Sequence, residues 1–133
     1  MTLPKQLQGK LAFPVIAAPM FLVSGPDLVG ACCLNGIAGT FPALNQRTTE
    51  GYAEWLLQIQ SQLEGREHAP FGINLIVHKT NPRLAADLKV TTEHQVPIVI
   101  TSPAQSLRWL KPYTATVAWC FMMSPLCVMQ KKQ

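Results

Sequence analysis

Beyond Ser102 the 133-residue chain has no aspartate or glutamate, and no glycine, asparagine, histidine or isoleucine. The lack of acid explains the net charge of +4. Seven basic and seven acidic side chains cancel before Pro103, and Arg108, Lys111, Lys131 and Lys132 follow unopposed. These four are not interleaved with aromatics in the manner of a nucleic-acid surface, so no nucleic-acid partner is expected. Long apolar runs are also missing. The longest, over 117–129, is interrupted by Ser124-Pro125 and is too short to span a bilayer. The N-terminus carries Lys5 and Lys10 without the apolar core of a secretory signal, so none is expected there. Cys32, Cys33, Cys120 and Cys127 do not fall at metal-ligand spacing. Reduced thiols in a cytoplasmic protein are the expectation, with Cys32 and Cys33 in a core. The length allows one modest domain and falls far short of the ~250 residues of a complete (β/α)8 barrel.

What is present up to Ser102 alternates regularly. Pro14 and Pro19 bound a short apolar run, and 15–18 reads as a buried strand because it lacks polar alternation. Ser24-Gly25-Pro26-Asp27 opens a helix, with proline in the first turn and an acid near the positive end of the dipole. The helix is predicted over 26–34, with Leu28, Val29, Cys32 and Cys33 on its inner face and Asn35-Gly36 ending it. A second strand is predicted over 37–41, with Pro42-Ala-Leu-Asn45 as the loop beyond it. Thr48-Thr49-Glu50 starts a helix on which Tyr52, Trp55, Leu56, Ile59 and Leu63 recur at helical spacing. A third strand is expected over 71–77. A helix capped by Asn81-Pro82 follows, with Leu84, Leu88 and Val90 inward. The fourth strand, 97–101, is apolar and β-branched.

The order β-α-β-α-β-α-β predicts an α/β protein with an all-parallel sheet. Ligands in such folds sit at the C-terminal ends of the strands. Here those ends carry Ala18-Pro19-Met20, Ala43 and Asn45, Asn74 with His78 beyond it, and Thr101-Ser102.

Four stretches together resemble one family. They are Pro14-Val-Ile-Ala-Ala-Pro19-Met20-Phe-Leu-Val-Ser24-Gly25-Pro26, Gly36-Ile-Ala-Gly39-Thr-Phe-Pro42-Ala-Leu-Asn45, Pro70-Phe-Gly-Ile-Asn74-Leu-Ile-Val-His78 and Val96-Pro-Ile-Val-Ile-Thr101-Ser102. Their order and spacing are similar to those of the nitronate monooxygenases, formerly 2-nitropropane dioxygenases, which are flavin-dependent TIM barrels. The resemblance covers roughly the first three quarters of the chain and stops abruptly. It implies a partial TIM-type (β/α) barrel of about four parallel βα units over residues 1–102, followed by an irregular C-terminal tail over 103–133. It also implies flavin mononucleotide (FMN) as cofactor, and a small-molecule nitronate or nitroalkane with O2 as substrates. By resemblance, the Ala18, Pro19 and Met20 backbone lies against the flavin ring. Asn74 would hydrogen-bond the flavin on its ring or phosphate side, an amide offering both donors and an acceptor.

The family's base is a histidine in a Gly-Gly-His loop on a later strand, and its phosphate is held mainly by later glycine-rich loops. His68, His78 and His94 lie in no such motif, so no catalytic residue is expected here, and flavin binding is expected to be weak or absent. A flavin-dependent enoyl-thioester reductase barrel is the alternative enzyme reading, although Phe-Pro-Ala-Leu-Asn favours the monooxygenase. A non-enzymatic fragment that self-associates through exposed strand edges is the third.

The abrupt change after Ser102 has the character of a shifted reading frame. Joining each codon's third base from Lys111 onward to the next two bases forces valine from Trp119-Cys120, aspartate from Met122-Met123 and alanine from Met129-Gln130. Suitable codons for the rest give AVHSYGGVVFHDVTTVRHAKKA, a turn, an apolar strand and a basic helix. Glycine, histidine and aspartate return together, and the string is similar to what the family carries next. Residues 103–133 are therefore expected to be an out-of-frame tail rather than a domain.

Overall fold

The computed structural model describes residues 7–102 and 120–122. Its strands form one parallel sheet in the order β1 (Ile16–Ala17), β2 (Ala38–Pro42), β3 (Gly72–Ile76), β4 (Ile98–Ser102) and β5 (Cys120–Met122). Helices α1 (Pro26–Leu34), α2 (Thr49–Leu63) and α3 (Leu84–Glu93) connect the first four strands, and a 3-10 turn, Ala43–Asn45, follows β2. Each strand neighbours the next in sequence, the pattern of successive βα units. The out-of-frame reading of 103–133 lies outside the described residues except at β5. Three residues of the segment expected to be irregular there pair with Val99, Ile100 and Thr101. Parallel pairing is made by backbone amides and carbonyls, so a free strand edge accepts an extended segment whatever its side chains.

Side chains alternate between the two faces of the sheet. Phe41, Ile73, Leu75 and Val99 join Tyr52, Leu56, Ile59, Leu63, Val29 and Cys33 in the core between strands and helices. Phe41 sits with its ring centroid 6.0 Å from that of Tyr52 and 5.8 Å from that of Trp55. On the opposite face, Ala38, Ile98 and Ile100 pack with Leu7, and Leu11 and Ile16 lie against them. The polar lead-in thus supplies an apolar plug, Leu7, for the N-terminal end of the inner face.

Helix boundaries follow from local chemistry. Thr48 accepts a hydrogen bond at its hydroxyl from the Gly51 amide, 3.0 Å, as an N-cap should. Helix α1 ends in the two-bond glycine motif: the Gly36 amide donates to Cys33 and the Ile37 amide to Cys32, with Gly36 at φ 76°. The inner stripe of α1 differs from the expected one. Pro26, Val29, Gly30 and Cys33 are buried, while Leu28 is exposed and Cys32 half-buried. Spacings of three and four link Pro26 to Val29 and Gly30, and those two to Cys33, and a helix this close to the sheet has room for only one narrow stripe. Helix α3 begins two residues later than Pro82. Asn81 instead caps the preceding turn, accepting from the Arg83 amide at 3.1 Å and donating to the Ile76 carbonyl at 2.9 Å.

Burial pushes the Cys33 thiol up to about 11, so it behaves as a small apolar core group and not as a nucleophile. Burial likewise raises the Tyr52 hydroxyl, which shares a 2.8 Å hydrogen bond with Thr91. Among the described residues no helix is long and apolar enough to cross a membrane. Among the same residues no group of three His, Cys, Asp or Glu side chains could hold a metal ion.

Candidate functional site

Strand β1 is short because Pro14 and Pro19 remove the flanking donors. The Thr40 hydroxyl reaches across from β2 and donates to the Ala17 carbonyl, closing the end of the strand. The chain then leaves as a loop over 18–25 before α1. Ala18 and Met20 are exposed and Pro19 is half-buried. Leu22 adopts a left-handed conformation, φ 61°, unusual for a leucine and costing about 1–3 kcal/mol.

Polar bonds hold this loop. The Met20 amide donates to the Ser24 hydroxyl at 2.9 Å, and the Ser24 amide returns a bond to the Met20 carbonyl at 3.1 Å. Ser24 was expected to serve the start of α1; instead Gly25 is the N-cap, without a side-chain bond, and Ser24 turns back to Met20. The next unit contributes Asn45. Its carboxamide nitrogen donates to the carbonyls of Met20, 3.1 Å, and Ser24, 2.8 Å, and its oxygen accepts from the Leu22 amide, 3.2 Å.

A third unit braces the second. Arg83, ahead of α3, donates to the carbonyls of Gln46 at 2.6 Å and Thr48 at 3.0 Å, and to Asp87 Oδ1 at 3.0 Å. Asp87 is fully buried, also accepts from Thr49 at 2.7 Å, and leaves its Oδ2 without a partner among the described residues.

Asn74 lies near the C-terminal end of β3, level with Pro42 on one side and Ile100 on the other. It is 9% exposed, and its amide oxygen accepts from the Ser102 hydroxyl at 3.2 Å. Alternation along β3, opposite to Ile73 and Leu75 and level with Ile100, puts Asn74 on the inner face. Two strand spacings of about 4.8 Å separate the lines of β1 and β3, so Asn74 and the 18–20 segment bracket the end of β2 at about 10 Å. The expected set of Ala18, Pro19, Met20 and Asn74 therefore shares one end of the sheet. His78 is elsewhere: it is exposed and bonded to Thr80 in its own loop.

These groups suit part of a flavin. The 18–20 segment offers methyl, ring and thioether carbons with few free donors, since proline has no amide hydrogen and the Met20 amide is occupied by Ser24. That is a surface for a flat apolar ring, and Asn74 can meet a polar ring edge. It is not a phosphate cradle, which needs clustered amides or cations.

Sequence reading placed Asn45 at a strand end without a role and passed over Thr40 and Arg83. Residue type carried little signal for them, because their partners are backbone atoms 21–37 residues away.

No family model matches the chain, and no curated protein matches it. Solved structures do. The FabK M276A mutant from Thermotoga maritima shares the fold with a TM-score of 0.70 and 18% identity, over 86% of this chain and 36% of that one. FabK from the same organism gives a TM-score of 0.64 and 22% identity, over 81% and 33%. A nitroalkane oxidase from Streptomyces ansochromogenes gives 0.69 and 20%, over 88% and 42%. The chain thus spans about a third to two fifths of the length of these neighbours. What it shares with them is the fold, and that fold is a partial TIM-type barrel of parallel βα units.

Proposed function

We propose that the chain carries the N-terminal part of an FMN-dependent oxidoreductase barrel, of the kind that oxidises nitronates or nitroalkanes with O2. The carrying observation is the site itself: an apolar 18–20 segment, held by Ser24 and Asn45, beside Asn74 at the C-terminal ends of parallel strands. The likeness to a nitroalkane oxidase supports the choice of chemistry. When bound, the flavin would supply the electron transfer to oxygen. The chain's own part is to present the apolar lip at Ala18, Pro19 and Met20 to the ring and the Asn74 amide to a polar edge.

The described residues bring no base to this end of the sheet, and no phosphate cradle is present among them. We read this chain as inactive because none of His68, His78 and His94 lies in a Gly-Gly-His motif, and residues 103–133 as translated out of frame because the composition changes abruptly after Ser102. Purified protein is expected to show little flavin absorbance after incubation with FMN and no nitronate-dependent oxygen uptake. Stoichiometric yellow protein that turns over nitronate refutes the inactive reading. DNA downstream of the Ser102 codon that lacks an alternate-frame continuation of the barrel refutes the out-of-frame reading.

Two specific observations favour other readings. The FabK structures among the neighbours support a flavin-dependent enoyl-thioester reductase barrel, and reduction driven by a nicotinamide cofactor would reveal it. The apolar exposure around β1 supports self-association: Phe13, Val15, Phe21, Leu22 and Val23 are 48–76% exposed beside an edge strand. Sedimentation of the flavin-free chain as a dimer or larger species is the outcome that favours this.

A further inference from the structure

We infer that Asn45 is a positioning residue for the cofactor-facing lip, acting on the flavin surface through the loop that follows β1. The second half of this statement rests on the flavin reading above; the first does not. Residues 20–23 are all exposed, so apolar packing does not hold the loop in place. Its shape depends on polar bonds, and the Asn45 carboxamide makes three of them, to Met20, Leu22 and Ser24.

The geometry calls for a carboxamide of this length. Two carbonyls need a donor and the Leu22 amide needs an acceptor, all within reach of one side chain. Aspartate keeps the acceptor and sets a negative charge against two carbonyl oxygens. Alanine keeps nothing. The Asn45 oxygen accepts from the amide of Leu22, the one residue of this loop in the left-handed conformation. Asn45 itself closes the 3-10 turn, and its successor Gln46 is gripped at the carbonyl by Arg83. The lip is thereby referred to α3, two units away, and not only to its own strand.

The test compares the full chain with Asn45→Ala and Asn45→Asp. Amide hydrogen exchange is read for 20–24 and for β3 and β4, and affinity is read with lumiflavin, a flavin ring without phosphate. Losing three neutral hydrogen bonds is expected to speed exchange at 20–24 by about 10- to 100-fold in Asn45→Ala. Asn45→Asp should do so nearly as much, with β3, β4 and the melting temperature little changed. Lumiflavin affinity should fall by about tenfold or more in both variants. Unchanged loop exchange overturns the inference, as does faster exchange with unchanged lumiflavin affinity. If the parent chain binds no lumiflavin, as the weak or absent flavin binding expected of this partial barrel allows, loop exchange alone decides whether Asn45 orders the segment.

Discussion

Arg83→Ala is expected to destabilise the chain by about 3–5 kcal/mol, read as a lower urea midpoint with an unchanged m-value. The cost comes mainly from what is left behind. Asp87 is completely buried, and Arg83 is the cation beside it, with side-chain exposures of 20% and 1%. Without the guanidinium, a carboxylate in the interior keeps only the Thr49 hydroxyl, and its second oxygen is already without a partner among the described residues. Two loop carbonyls, of Gln46 and Thr48, lose their donor as well. Arg83→Lys should recover little, since one ammonium cannot reproduce a planar fork aimed at two carbonyls and a carboxylate. Asp87→Asn combined with Arg83→Ala should recover part of the loss by removing the stranded charge. If Arg83→Ala shifts stability by less than about 1 kcal/mol, the pair behaves as a surface ion pair and the bracing role is wrong. The contrast with Lys89 and Glu93 is instructive: their 3.7 Å pair is exposed on both sides, and cutting it should be nearly silent.

Gly39→Val is expected to cost about 3 kcal/mol, at the upper end of overpacking penalties, and to lower the melting temperature accordingly. A Cβ at Gly39 would stand 2.6 Å from the Val29 carbonyl oxygen, 2.9 Å from Val29 Cα and 3.1 Å from Cys32 Cβ. The first two are backbone atoms of α1, so no side chain can swing aside; the helix must move off the sheet. Gly30 provides the comparison. An added Cβ there meets mainly the Gln62 side chain, which can rotate away, so Gly30→Ala should be clearly milder. Equal costs for the two substitutions would mean that α1 is not closely seated on β2.

The same contacts show what was legible in the linear chain. Helix α2 was readable because Tyr52, Leu56, Ile59 and Leu63 repeat at the helical period and Thr48 marks the start; all four are buried. The strands were readable as apolar runs between prolines and glycines, within a residue or two at each end. The expected cofactor residues, Ala18, Pro19, Met20 and Asn74, do gather at one end of the sheet. The supports for that end were not readable. Asn45 and Arg83 are polar residues in loops, and their work is to bind backbone atoms of other units, which leaves no periodicity and no motif. The inner stripe of α1 was misjudged at Leu28 for a related reason: periodicity marks an apolar sector, but the nearness of the sheet, set at Gly39, decides how much of it is covered.

A two-residue strand, paired with β2 and bonded by its threonine, is the shortest stave of this sheet among the described residues. Under gentle digestion, the bonds around Phe21 and Leu22 present large apolar side chains on an accessible strap, which is what chymotrypsin-like proteases require. Cleavage there would separate the first stave from α1 while β2, β3 and β4 keep their mutual pairing. A preparation handled slowly should therefore accumulate a species lacking its N-terminal twenty-odd residues, still folded around Phe41 but without the 18–20 segment proposed to face a flavin.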